Sequence, residues 1–273
     1  MGLDFDQGAW AICALVLRNK YDCAFRGRTG LGGSCLAERL SHYVRLSDAE
    51  QESLARLEEQ DRTFRRGTAV ISENERPREL YIVRQGWLHS SVVLGNGSRQ
   101  IMRFHFQGDI LGLPLLAFAD SPETVTAVTD AVLCPFSRER LAALISDHPR
   151  LAALILSLTV ADRVALADRL ASIGRTPARA RVGALLCEVF ARLRQLGAAR
   201  EEAIQLPLTQ EDIGDATGLT AVHVNRMMRG LAEEGIIERR NGYIRLLDEK
   251  RLVADSNFTD RTGIETGWLP AAK

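Results

Sequence analysis

The spacing of apolar residues along the chain changes character twice. Between Phe64 and Phe136 they fall in short runs rich in Val, Ile, Phe and Thr: Phe64 to Ile71, Leu80 to Val83, Trp87 to Leu94, Arg99 to Phe106, Thr124 to Val128 and Ala131 to Phe136. Gly67, Gln85-Gly86, Gly95-Asn96-Gly97, Gly108-Asp109 and Asp120-Ser121-Pro122 punctuate these runs, and Gly95-Asn96-Gly97 is a good hairpin signal. Short strands at this spacing, with no helices between them, predict a β sandwich or jelly roll. Upstream, Ser47-Asp48-Ala49-Glu50 has the form of a capping box opening a short helix through Leu57. Residues 1–34 carry Gly27, Gly30, Gly32 and Gly33 with weak periodicity, and read as an appendage.

After Arg138 the period becomes helical. His148-Pro149 starts a helix that runs to Ile173, with Gly174 and Pro177 as stop signals. A helix over 149–173 is about 37 Å long at 1.5 Å per residue. It carries two apolar stripes, one of Leu151, Leu154, Leu158, Ala161 and Ala165, the other of Leu166, Leu170 and Ile173. One stripe can face the chain's own β region, and the second calls for a partner, most simply a twin helix across a two-fold axis. The dimer contact is assigned to Leu151, Leu154, Leu158, Ala161 and Ala165.

The last third reads helix, helix, helix, hairpin. Arg179 to Leu196 is amphipathic and stops at Gly197. Thr209 with Asp212 forms a second capping box, Gly218 ends that helix, and Thr220 caps a third running to about Glu234. Asn241-Gly242 then turns a hairpin between Ile236 and Leu246. Two short helices joined by a glycine turn, preceded by a helix and followed by a two-stranded wing, make a winged helix-turn-helix. Ile213 and Ala216 face inward, Leu219 plugs the turn, and Ala221, Val224, Met228 and Leu231 recur at core spacing. Val222, His223, Asn225, Arg226 and Arg229 are left on the outer faces. Arg226 and Arg229 can bond guanine edges in bidentate fashion or hold phosphate, Asn225 can pair with adenine, and Val222 can meet a thymine methyl. Thr209, Gln210 and Thr220 stand at helix starts, with Thr209 and Gln210 placed to meet phosphate, and Arg239, Arg240 and Arg245 on the wing add backbone contacts.

Charge does not announce this function. The chain of 273 residues has 35 basic and 35 acidic side chains, a net charge of zero, which by itself argues against nucleic acid. The 35 basic residues are 32 Arg and only three Lys, and over 175–246 eleven Arg face nine Asp and Glu. The basic residues therefore act by placement, as planar forks suited to guanine and phosphate. The longest apolar run, Ala9 to Leu17, is too short to span a bilayer and lacks the positive flank of a signal peptide, so a cytoplasmic protein with no membrane partner is expected. Five scattered cysteines do not form a disulfide framework.

Leu208-Thr209-Gln210-Glu211-Asp212-Ile213-Gly214 and Gly218-Leu219-Thr220-x-x-His223-Val224-Asn225-Arg226 resemble the helix-turn-helix of the Crp/Fnr family of bacterial transcription regulators. Gly86 and Gly108-Asp109-Ile110-Leu111-Gly112 are similar to its cyclic-nucleotide-binding-type roll. The resemblance implies an α+β chain in five parts. These are an extension over 1–34, an effector-type β roll over 35–148, a dimerisation helix over 149–174, a winged helix-turn-helix over 175–250 and a tail over 251–273. It also implies a homodimer on a palindromic double-stranded operator, contact with RNA polymerase, and activation, with no enzymatic role. The roll would set the angle of the long helices and thereby the spacing of the recognition helices.

Two departures bear on the signal. Gly108 is followed by Asp109 rather than Glu, and Pro122-Glu123-Thr124-Val125 lacks the arginine that would neutralise a cyclic phosphate, so cyclic AMP is not expected to bind. Oxygen-sensing members hold an iron–sulfur cluster with three close N-terminal cysteines and a distant one. Cys13, Cys23, Cys35 and Cys134 match that count, but gaps of nine and eleven residues do not match the compact spacing. Ordinary thiols are the default, with the cluster and a thiol redox sensor as alternatives. A cupin-like metal enzyme would need converging histidines, and His42, His89, His105 and His148 show no ligand spacing.

Overall fold

The computed structural model describes residues 33–197 and 203–272. Ser34 opens the first helix, α1 (Cys35–Ser41), accepting a hydrogen bond from the Ala37 N–H and donating one to Glu58 at 2.5 Å. The capping box of Ser47 and Glu50 is formed and starts α2 (Asp48–Leu57). Eight strands follow: β1 (Arg62–Phe64), β2 (Ala69–Ile71), β3 (Glu79–Gln85), β4 (Leu88–Val93), β5 (Arg99–His105), β6 (Ile110–Leu111), β7 (Thr124–Ala127) and β8 (Ala131–Ser137). They make two antiparallel sheets, ordered β1-β8-β3-β6 and β2-β7-β4-β5, packed face to face as a jelly roll. The run expected as one strand from Phe64 to Ile71 is two, because the chain turns at Gly67 and passes from one sheet to the other.

β3 is buried on both sides. Tyr81 and Val83 point into the roll among Ile71, Leu88, Leu111, Val125 and Leu133, whereas Leu80 and Ile82 join Cys134 and Phe136 under the helices. The helices covering that outer face are α1, α2, α3 (Arg138–Asp147) and the long α4 (Pro149–Arg175), which runs through Gly174 and stops before Pro177. Leu151, Leu154 and Leu158 lie in this core, so the stripe assigned to a dimer contact is closed within the chain, with Ala161 and Ala165 half-buried further along the same side. The open face of α4 carries Leu156, Val160, Leu166 and Leu170 instead, with Arg163 and Ala167 between them. Period alone offers two stripes. The hydrophobic side of the roll chooses between them.

α5 (Ala178–Gln195), β9 (Ala203–Gln205), α6 (Gln210–Thr217), α7 (Ala221–Glu233), β10 (Ile237–Arg240), β11 (Tyr243–Leu246) and α8 (Glu249–Ser256) form the C-terminal part, with a sheet ordered β10-β11-β9. Two elements add to the expected hairpin and three helices. β9 extends the wing to three strands, and α8 lies across the expected boundary at 250, burying Leu252 against α5. Beyond α8 the chain returns to the body: Gln195 donates to the Thr262 carbonyl, Arg261 pairs with Asp168 of α4, and Ile264 and Leu269 pack beside the helices of the roll. Among the described residues, no helix is long and apolar enough to cross a membrane.

Candidate nucleic-acid interface

Local chemistry fixes the two short helices before any tertiary contact does. The Thr209 hydroxyl accepts from the Asp212 N–H at 3.0 Å, and the Asp212 carboxylate accepts from the Thr209 N–H at 2.9 Å, so two orphan donors at the start of α6 are satisfied. Gly218 ends α6 in the left-handed region at φ 67°, which a residue with a Cβ resists, and Leu219 donates back to the Gly214 carbonyl at 3.0 Å. Thr220 then caps α7 through the His223 N–H. Asn241 and Gly242, with φ of 50° and 82°, turn the wing hairpin.

Packing separates the two faces of α7. Val224, Met228 and Leu231 are fully buried against Ile213, Ala216 and α5. Val222, His223, Asn225, Arg226 and Arg229 are all exposed, Val222 to 79 %. Neither Arg226 nor Arg229 forms an ion pair among the described residues. Arg239 and Arg240 lie exposed at the end of the wing, and Arg245 is half-buried. Gln210 departs from the expected geometry: its side-chain oxygen is buried without a hydrogen-bond partner.

Sequence reasoning did not find the arginines that join the roll to this unit. Asp109, 1 % exposed, accepts from Arg192 of α5 at 2.6 Å and forms ion pairs with Arg39 of α1 at 2.5 Å and Arg103 of β5 at 3.7 Å. Arg103 also pairs with Asp162 of α4. Burial alone would raise the Asp109 pKa, but Arg192, Arg39 and Arg103 together hold it well below the usual carboxylate range. Nearby, Gly108 approaches α1 so closely that a Cβ there would lie 2.8 Å from the Cys35 carbonyl. Further along β5, Arg99 bonds Asp212 at 2.9 Å and Asp215 at 2.7 Å, both on α6. Between these contacts, Trp87, Ile101, Phe104 and Phe106 share one apolar cluster with Val182, Val189, Phe190 and Leu193 of α5. These partners are scattered along the chain, and no local pattern announces them.

The same arginines occupy the space between roll and α4. The cavity there, lined by Arg39, Arg103, Ile155 and Asp162, measures about 20 Å³, room for one water, where a nucleotide-sized ligand needs several hundred. Glu123 is partly buried, and burial pushes its carboxyl up against the opposing pull of Ser90 and Arg103. Of the four cysteines that match the cluster count, Cys35 and Cys134 are described, and both are buried. Burial, then the Glu58 carboxylate, push the Cys35 thiol up to about 12, and burial with Glu58 and Asp61, against Arg84, pushes Cys134 up too. No group of three potential ligands converges among the described residues, and Cys13 and Cys23 lie outside them. His89 and His105 are buried in the roll, His105 bonded to Ser90.

Comparison with known proteins agrees with this architecture. The family model described as "Cyclic nucleotide-binding domain" matches residues 61–148, and that described as "Crp-like helix-turn-helix domain" matches 180–254. The chain is 32% identical over 192 residues to the nitrogen fixation regulation protein FixK of Bradyrhizobium diazoefficiens, covering 70% of this chain and 79% of that protein. It is 24% identical over 219 residues to the fumarate and nitrate reduction regulatory protein of Vibrio cholerae, covering 80% of this chain and 87% of that one. Its fold is similar to the solved structure of FixK2 from Bradyrhizobium japonicum, with a TM-score of 0.65 and 27% identity over 71% of this chain and 96% of that chain. A roll, a long helix and a helix-turn-helix in this order, with these relatives, place the chain in the Crp/Fnr family of transcription regulators, with a helix-turn-helix that binds DNA.

Proposed function

We propose that the protein works in the cytoplasm as a homodimer on a palindromic operator and activates transcription through contact with RNA polymerase. The observation that carries the DNA reading is the open face of α7. Arg226 and Arg229 take guanine edges or phosphate, Asn225 an adenine, and Val222 a thymine methyl, with His223 beside them. Thr209, Thr220 and the wing residues Arg239 and Arg240 hold the backbone, and Gln210 contributes through its main-chain N–H at the start of α6. The dimer contact uses the exposed stripe of α4, Leu156, Val160, Ala167 and Leu170, whose spacings of four, seven and three residues keep one side of a helix facing its twin.

The roll is proposed to work without cyclic nucleotide, because the chain's own Arg39 and Arg103 fill the space beside α4. Iron–sulfur chemistry and enzymatic activity form no part of the proposal.

The test is selection of bound duplexes from a random-sequence library, followed by titration of the selected duplex. A two-fold symmetric consensus bound by two protomers, with affinity unchanged by cyclic AMP, is the expected result. Recovery of no consensus refutes the DNA reading, and cyclic-AMP enhancement refutes the ligand-free roll.

A further inference from the structure

The roll meets the helix-turn-helix itself, and one side chain of β5 holds it at two points. Arg99, on β5, directs Nη2 to Asp212 at 2.9 Å and Nε to Asp215 at 2.7 Å. The two carboxylates lie one turn apart on α6, so a single planar fork grips the helix at two points and resists its rotation. Asp212 is at the same time the capping residue of α6: one of its oxygens takes the Thr209 N–H and hydroxyl, the other takes Arg99. His89 backs the guanidinium at 3.4 Å from Nη1, and the continuous apolar cluster of Ile101 and Phe104 with α5 lies alongside. While this grip is closed, Val222, His223, Asn225, Arg226 and Arg229 all remain exposed. The contact therefore holds the reading helix in place without covering it.

We infer that Arg99 is a positioning residue for operator binding, fixing the orientation of α6 and α7 on the roll and thereby setting the half-site spacing that the dimer accepts. The inference rests on the reading of a dimer on a two-fold operator. It adds a direct route from β5 to α6, separate from the path through the long helix α4. Adding one base pair between half-sites shifts the second by about 3.4 Å and turns it by about 34°. Rigidly held recognition helices cannot follow that change, whereas loosely held ones can.

The experiment uses full-length wild-type protein and the variant R99A, on a duplex selected by the wild type and on two derivatives with the central spacer one base pair longer or shorter. Wild type is expected to lose roughly tenfold or more on either derivative. R99A is expected to bind the selected duplex several-fold more weakly, to bind all three duplexes within about twofold of one another, and to keep the wild-type base preference within a half-site. Reversing the pair, R99D with D215R, restores the spacing discrimination. R99K keeps the charge without the fork and falls between wild type and R99A, which covers the case of R99A failing to fold.

Wild-type spacing discrimination in a folded R99A or R99K overturns the inference. So does tighter binding of the selected duplex by either, because the contact would then be restraining DNA binding. If wild type selects no two-half-site duplex, the dimeric operator reading fails first, and that result is distinguishable because it appears before any variant is used.

Discussion

The recognition face of α7 and the seam between the roll and α5 are both built on arginine, and they treat it in opposite ways. In the seam, Arg39, Arg103 and Arg192 surround Asp109 and Asp162, and the charges are satisfied within the chain. On α7, Arg226 and Arg229 stand in solvent with no ion pair among the described residues. The same contrast holds along α4, where Leu151, Leu154 and Leu158 are closed into the core and Leu156 and Leu170 are open. A chain with net charge zero can thus bind a polyanion, because its carboxylates are committed elsewhere. A substitution on one side of this contrast should leave the other side unchanged.

The largest effect is expected at the closed end. Asp109→Asn leaves Arg39 and Arg192 buried without their counter-charge, and should cost about 3–5 kcal/mol in urea unfolding. If the loss is below about 1 kcal/mol, the charges of the seam are not satisfied within the chain. The pH dependence separates Asp109 from the buried histidines. Burial, helped by Arg99 and Arg103 respectively, pulls His89 down to about 4 and His105 down to about 3. Unfolded histidine titrates near about 6.5, so the unfolded chain takes up protons that the folded chain refuses, and stability falls as pH drops from about 6.5 toward 4. Asp109 has a depressed pKa and stays charged through that window. Its contribution is complete above about 4 and is lost only below, as pH falls toward its own folded value. Urea midpoints between pH 7.5 and 4.5 should therefore decline in both wild type and Asp109→Asn, and decline less in His105→Gln.

The two faces of α4 come next. Leu151→Ala opens a cavity in the core and should lower unfolding stability by about 2–5 kcal/mol without weakening the dimer. Leu170→Glu acts in reverse. In the proposed dimer each protomer buries this side chain, 72 % exposed in the single chain, against its twin, and the substitution should weaken dimerisation by about 3 kcal/mol in sedimentation equilibrium. A dimer that tolerates Leu170→Glu and not Leu151→Ala would reinstate the stripe first read from the sequence.

That exchange of stripes shows where sequence reasoning reached and where it stopped. The capping boxes at Ser47 and Thr209, the Gly218 turn and the Asn241-Gly242 hairpin were legible because each is set by residues three or four apart. The face of α4 that meets the roll was not, since an apolar period gives stripes without assigning their partners. The Asp109 cluster was illegible for a stronger reason: Arg39, Arg103, Asp162 and Arg192 come from four elements spread over more than half the chain. α8 did leave a local signal. Asp248 caps it through the Arg251 N–H, and Asn257 ends it at φ 51°.

On the open side, Arg226→Ala should cost about 1–3 kcal/mol per half-site in operator titrations and relax selectivity at one base position, with the unfolding midpoint unchanged. A uniform loss on all sequences would move Arg226 from base reading to phosphate contact, and no loss would remove it from the interface.

The smallest effect belongs to the wing. Arg239 is exposed near the end of β10, close to the hairpin turn, and is proposed to meet a phosphate rather than a base edge. A phosphate contact releases about one counterion, so Arg239→Ala should reduce the slope of log affinity against log salt by about 0.9 and leave the order of preference among duplexes untouched. The slope counts the phosphates that the protein neutralises, so the loss of one contact is a measurable fraction of it. A slope unchanged in Arg239→Ala, with base preference altered, would put the wing in a groove and extend the open reading face beyond α7.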